Sequence, residues 1–149
     1  MISVLQFLRI LLAGRHSSVA GVSASILQLQ RFEADLQQDF FALASRSGKP
    51  RGLRWISCEW PGELQIVADE DHQLISAFAA VNIGFEAIEG GDMEDVKAVS
   101  TIRDGSAVFH FQNGSWGSAG RVIFNMDPVK AAEHLMPNAQ PVFHRKADQ

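Results

Sequence analysis

The stretch Val22–Ser47, VSASILQLQRFEADLQQDFFALASRS, decides the fold. Apolar side chains recur at Val22, Ile26, Leu29, Phe32, Leu36, Phe40 and Leu43, in steps of three and four that line one face of an α-helix. Gln28, Gln30, Arg31, Asp35, Gln38 and Asp39 take the opposite face, so the helix is polar toward water and apolar toward a partner. Gly48 suits a left-handed C-terminal position and Pro50 forbids continuation, which stops the helix near Ser47. Just beyond it lie Arg46, Lys49, Arg51 and Arg54, cations that complement a helix C-terminus and offer an anion contact as the alternative.

Upstream, residues 1–13 are apolar except for Ser3, Gln6 and Arg9, a narrow polar stripe that fits a mostly buried helix. At 1.5 Å per residue the run spans roughly 20 Å, short of a ~30 Å hydrocarbon core. A secretory signal is disfavoured because no cation precedes the apolar run and Arg9 interrupts it. Docking on another subunit, on a protein partner or, less favoured, on a membrane surface remains open for residues 1–13. Gly14–Gly21 contains two glycines and two serines and is read as a break between this first helix and the long second one.

Downstream of Leu53 the period changes from helical to alternating. Leu53–Cys58 and Glu63–Ala68 read as two strands about Pro61-Gly62, with a bulge or longer loop between them. Asp69-Glu70-Asp71-His72 forms the next loop. From Gln73 to Ile88 a helix competes with a strand over residues 73–80, but Ile75, Ala77, Ala79, Val81, Ile83, Phe85 and Ala87 alternate without a miss, which favours one long bent strand.

Asp104-Gly105 and Asn113-Gly114 resemble two-residue hairpin turns. Taken so, they set Ile102 opposite Ala107, Ser100 opposite Phe109, Ala98 opposite Phe111, and Phe111 opposite Trp116. One sheet face then collects Ile102, Phe109, Phe111, Trp116, Val122 and Phe124 as the seat for the long helix. The reverse face carries Thr101, Arg103, His110, Gln112, Ser115 and Arg121. Asp127-Pro128 opens a short last helix that Pro137 closes. Residues 138–149 are polar and are expected to form a loose tail.

The expected fold is α+β: two N-terminal helices, a six-stranded antiparallel meander curved around the long helix, and a short C-terminal helix, all in one domain over residues 1–137. At 46% apolar and 20% charged the composition is that of a globular protein, and a formal charge of −4 argues against broad nucleic-acid binding. The single cysteine, Cys58, forms no internal disulfide, which fits the cytoplasm, and its neighbours read as structural.

No spacing amounts to a catalytic, metal or cofactor signature. His72 among three carboxylates reads as a solvated loop, and the acids around Gly90-Gly91 do not match a calcium loop. Residues 113–120 are rich in glycine but lead into a strand, whereas a phosphate loop opens a helix. They more plainly let a helix approach the sheet or a strand bend. His110 falls on the polar face between Val99 and Gly117, with open space beside it.

Two functions follow as expectations. The first is a non-enzymatic binding or adaptor protein that works as a homo-oligomer. The second is a carrier or enzyme holding an anionic small molecule on the concave side of the sheet through His110, Arg121, Arg54 and Trp116.

Overall fold

The computed structural model describes residues 4–91 and 102–148, with the side chains of its first helix described from Gly21 onward. That helix, α1 (Val4–Ser45), is one element. The break expected over Gly14–Gly21 is not there: an interior glycine costs a helix only about 1 kcal/mol against alanine, and a Cβ placed on Gly21 would meet nothing. The irregularity lies instead at Phe32 (φ −108°, ψ 16°). Its buried stripe is Ser25, Leu29, Leu36, Phe40 and Ala44, while Phe32 and Leu43, expected inside, are 42% and 43% exposed. Gly48 (φ +73°) follows the last turn, and the Arg46 Nε–H donates to the Ala42 carbonyl at 2.8 Å, as a cation at a helix C-terminus should.

Seven strands follow: β1 (Leu53–Glu59), β2 (Leu64–Asp69), β3 (Leu74–Ala87), β4 (Ile102–Gln112), β5 (Ser115–Gly117), β6 (Val122–Phe124) and β7 (Gln140–Arg145). The second helix, α2 (Pro128–Leu135), lies between β6 and β7. The fold is α+β, with an open, curled antiparallel sheet ordered β5-β4-β3-β2-β7. The long alternating strand β3 is its axis, and residues 73–80 are not helical.

The expected meander needs three corrections. First, β1 and β2 do not pair with each other. Both run antiparallel to β3 along one edge, β2 against Leu74–Ala79 and β1 against Asn82–Ala87. Pro61-Gly62 is therefore a jog within an edge, where Ala80 N–H donates to the Glu63 carbonyl at 2.9 Å, and not a reversal. Second, Asp104-Gly105 is not a turn. Residues 102–111 zip onto β3 without interruption, so Ile102 pairs with Gly84 and is 65% exposed instead of lying under α1. Ala98, Ser100 and Thr101 lie outside the described residues. The other hairpin holds, with Phe111 opposite Trp116 around Asn113 (φ +53°) and Gly114 (φ +80°). Third, the stretch read as a loose tail supplies β7, which pairs with β2 from Leu64 to Ala68.

The two faces of the sheet carry separate cores. Under α1 lie Trp55, Leu64, Ile66, Ala77, Val81, Ile83, Phe85, Phe109 and Trp116, centred on Phe40, which has no exposed surface. On the reverse face Val67, Phe78 and Val108 pack against Ala131 and Ala132 of α2. Asp127 caps that helix, its Oδ1 accepting from Lys130 N–H at 2.9 Å, and Pro128 takes the first helical position. Gly120 (φ +78°) lets the β5–β6 connection touch α1: a Cβ there would stand 2.9 Å from the Ala44 nitrogen. Among the described residues no helix is long and apolar enough to cross a membrane.

Candidate functional site

Strand parity sorts the sequence-derived site residues. Ala107, Phe109 and Phe111 of β4 face α1, so His110, like Val108, faces the other way. Trp116, opposite Phe111, belongs with the α1 core, and its Nε1–H donates to the Ser25 carbonyl at 2.7 Å. It ties helix to sheet and does not share a face with His110. Arg54 pairs with Glu86 at 3.4 Å near one end of β3, whereas His110 lies opposite Ser76 near the other. Ten residues of strand, about 33 Å, separate those positions. Arg54 therefore does not converge on His110.

Arg121 does. Val108 N–H donates to the Arg121 carbonyl at 3.1 Å, and the pairs Ala107–Val122 and Ser106–Ile123 continue the ladder. Val122 packs toward α1 and Ile123 toward α2, so Arg121 shares the face of His110, one diagonal cross-strand step away.

The neighbours of His110 are Gly117 on β5, as expected, and Ser76 on β3, where the sequence had suggested Val99, which lies outside the described residues. Ser76 is fully buried, and its Oγ is 2.6 Å from His110 Nδ1. A buried hydroxyl with this one partner is satisfied by donating its hydrogen, which makes Nδ1 the acceptor and puts the imidazole proton on Nε2. Burial, reinforced by the charge of Arg121, holds His110 below its ordinary value of 6.5 and so neutral at pH 7. Ser76 has no access to a substrate and so orients the ring.

Beside the imidazole lies an open cavity of about 420 Å³, lined by His110, Gln112, Asn113, Ser115 and Gly117 and also by Trp116, so His110 and Trp116 border one space although they belong to opposite faces of the sheet. Gly117 creates part of that space, since a Cβ on it would meet no atom within 4 Å. The alternation over residues 73–88 leaves Ser76 in the set between the apolar positions. What hid its link to His110 was the supposed turn at Asp104-Gly105, which gave β4 the wrong neighbour.

Asp69, His72 and Cys58 lie outside this cavity. In the β2–β3 turn, Asp69 Oδ2 meets His72 Nδ1 at 2.9 Å and Asp69 Oδ1 accepts from His72 N–H at 3.2 Å. The side-chain bond to His72 is the chief reason the Asp69 carboxyl is held below its usual range. Burial pushes the Cys58 thiol up to about 12, so it stays protonated, as its reading as a structural residue requires. Among the described residues no group of three or more His, Cys, Asp and Glu side chains is arranged to hold a metal ion. No family model, curated protein or solved structure matches the chain.

Proposed function

We propose that this chain is a non-enzymatic binding or adaptor protein that works as a homo-oligomer, with the apolar run at the start of α1 as its contact. The observation that supports this is the continuity of α1. Its described burial against the sheet extends from Ser25 to Ala44, yet the same helix begins at Val4, about 30 Å earlier along its axis. An apolar segment joined by helix to the buried Ser25 and Leu29, ahead of the kink at Phe32, has little freedom left to lose on docking. Leu27, 67% exposed, extends the apolar character along α1. The lone half-buried Cys58 supports placing the protein in the reducing cytoplasm.

Light scattering after size exclusion tests the reading on the full-length chain and on a full-length Leu5→Glu/Leu8→Glu variant. The unsubstituted chain is expected to elute as a dimer or larger and the variant as a folded monomer, because two buried carboxylates oppose association. A folded monomer in both cases rejects the homo-oligomer. The same result with flotation on liposomes would move the N-terminal run to a membrane surface.

A further inference from the structure

We infer that the cavity beside His110, on the face of the sheet away from α1, is a binding site for the oxyanion group of a small molecule, a phosphate or a carboxylate. This goes beyond the oligomer reading and stands independently of it. Three observations carry it.

The first is a fixed donor. The Ser76 hydroxyl, buried and 2.6 Å from Nδ1, orients the imidazole, and with that hydroxyl donating, Nε2 carries the proton as the donor of a ring that lines the cavity. A ring held this way has already lost the rotational freedom that binding would otherwise cost.

The second is a cation at the right place. Ladder parity puts Arg121 on the same face, one diagonal step from His110 and beside the residues that line the cavity, not among them, and its guanidinium offers the planar fork that matches phosphate or carboxylate oxygens. None of the acids that Arg121 could pair with appears as its salt-bridge partner among the described residues.

The third is the space and its lining. About 420 Å³ is enough for a small metabolite, and beside His110 the lining combines amides, hydroxyls and a glycine with the apolar Trp116 and Ala119, and includes no carboxylate. An anion there meets donors and no opposing charge.

The test uses the full-length, ¹⁵N-labelled chain at fixed neutral pH and matched ionic strength. Imidazole resonances are followed while sodium phosphate, sodium acetate or sodium chloride is added. Saturable movement of the His110 resonances with phosphate or acetate, but not chloride, is the expected result, with His72 and His134 still. Response to phosphate alone assigns the site to phosphorylated ligands, and response to both assigns it to oxyanions at large. Arg121→Ala, a change at an exposed position, should weaken the titration by about tenfold or more, whereas Arg54→Ala, which removes the same charge far along the sheet, should leave it unchanged. The inference is overturned if His110 does not move, if all histidines drift together without saturation, or if Arg121→Ala titrates like the unsubstituted chain.

Discussion

His110 shows how one residue turns sheet geometry into chemistry. Its imidazole lies half-buried between a fully buried serine and a glycine, and both burial and Arg121 disfavour its charged form. The unfolded chain therefore binds a proton at this position more readily than the folded one. Stability from the neutral ring is complete above the ordinary value of 6.5 and is lost as the pH falls from there through the lower folded value. Urea unfolding at a series of pH values should show the native chain losing more stability across that window than His110→Asn. A constant difference between the two at every pH would mean the ring titrates as it does in the unfolded state. Asp69, whose carboxyl is also lowered, contributes its own loss only below its ordinary value of 3.8. At this scale the sequence was partly legible. Alternation identified the polar face of β4 and the glycine beside His110, but nothing local could name Ser76, which is 34 residues away and is found only through register.

At the level of elements, glycines and charges carried two meanings that a sequence does not separate. Asn113-Gly114 and Asp104-Gly105 look alike, yet only the first turns the chain. Gly105 is a glycine because β6 crosses close by: a Cβ there would stand 2.8 Å from the Ile123 carbonyl oxygen and 3.0 Å from Val122 Cγ2. Gly105→Ala should accordingly cost about 1–3 kcal/mol in denaturant unfolding, since backbone has to move. An unchanged midpoint would show that β6 is free to shift aside. The tail was misread for a related reason. Residues 140–145 offer only the pair Val142-Phe143 as strand formers and begin Gln-Pro, a weak strand signal, and their order comes from contacts distant in sequence. Arg145 of β7 grips α1 through Glu33 with two bonds, at 3.1 and 2.5 Å, and donates from Nε to the Gly62 carbonyl at 2.8 Å. The bond to Glu33 is the chief reason the guanidinium is held above its usual value. A double-mutant cycle of Arg145→Ala and Glu33→Ala should return a coupling of about 1 kcal/mol, at the upper end for partly exposed pairs. Arg145→Ala should also speed amide exchange in β7 and along β2. Additive single mutants with unchanged exchange would make the pair incidental. The long helix was legible because its apolar period repeats over many residues. The displacement of Phe32 was not, because it depends on a local backbone irregularity that no periodicity encodes.

For the whole molecule, the decisive feature is that one strand serves both cores. Along β3, Ala77, Ala79, Val81, Ile83 and Phe85 face α1, while Phe78 faces α2. Alternation predicted the first set without showing that the reverse face also had a roof, because α2 lies after six strands and its docking site is assembled from β2, β3 and β4 together. With a shared central strand, neither core can open without disturbing the ladder that the other needs, so the described elements from α1 to β7 should unfold as one cooperative unit. The three tryptophans make this measurable, since Trp55, Trp60 and Trp116 all belong to the α1 core and none to the α2 core. Phe78 is fully buried on the α2 side, and Phe78→Ala should remove about 3–5 kcal/mol. In a cooperative molecule that loss moves the tryptophan-fluorescence midpoint as far as the circular-dichroism midpoint, although no indole lies in the altered core. If fluorescence instead keeps its original midpoint while circular dichroism shifts, α2 and β7 come away first, and the sheet with α1 persists as a separate folding unit.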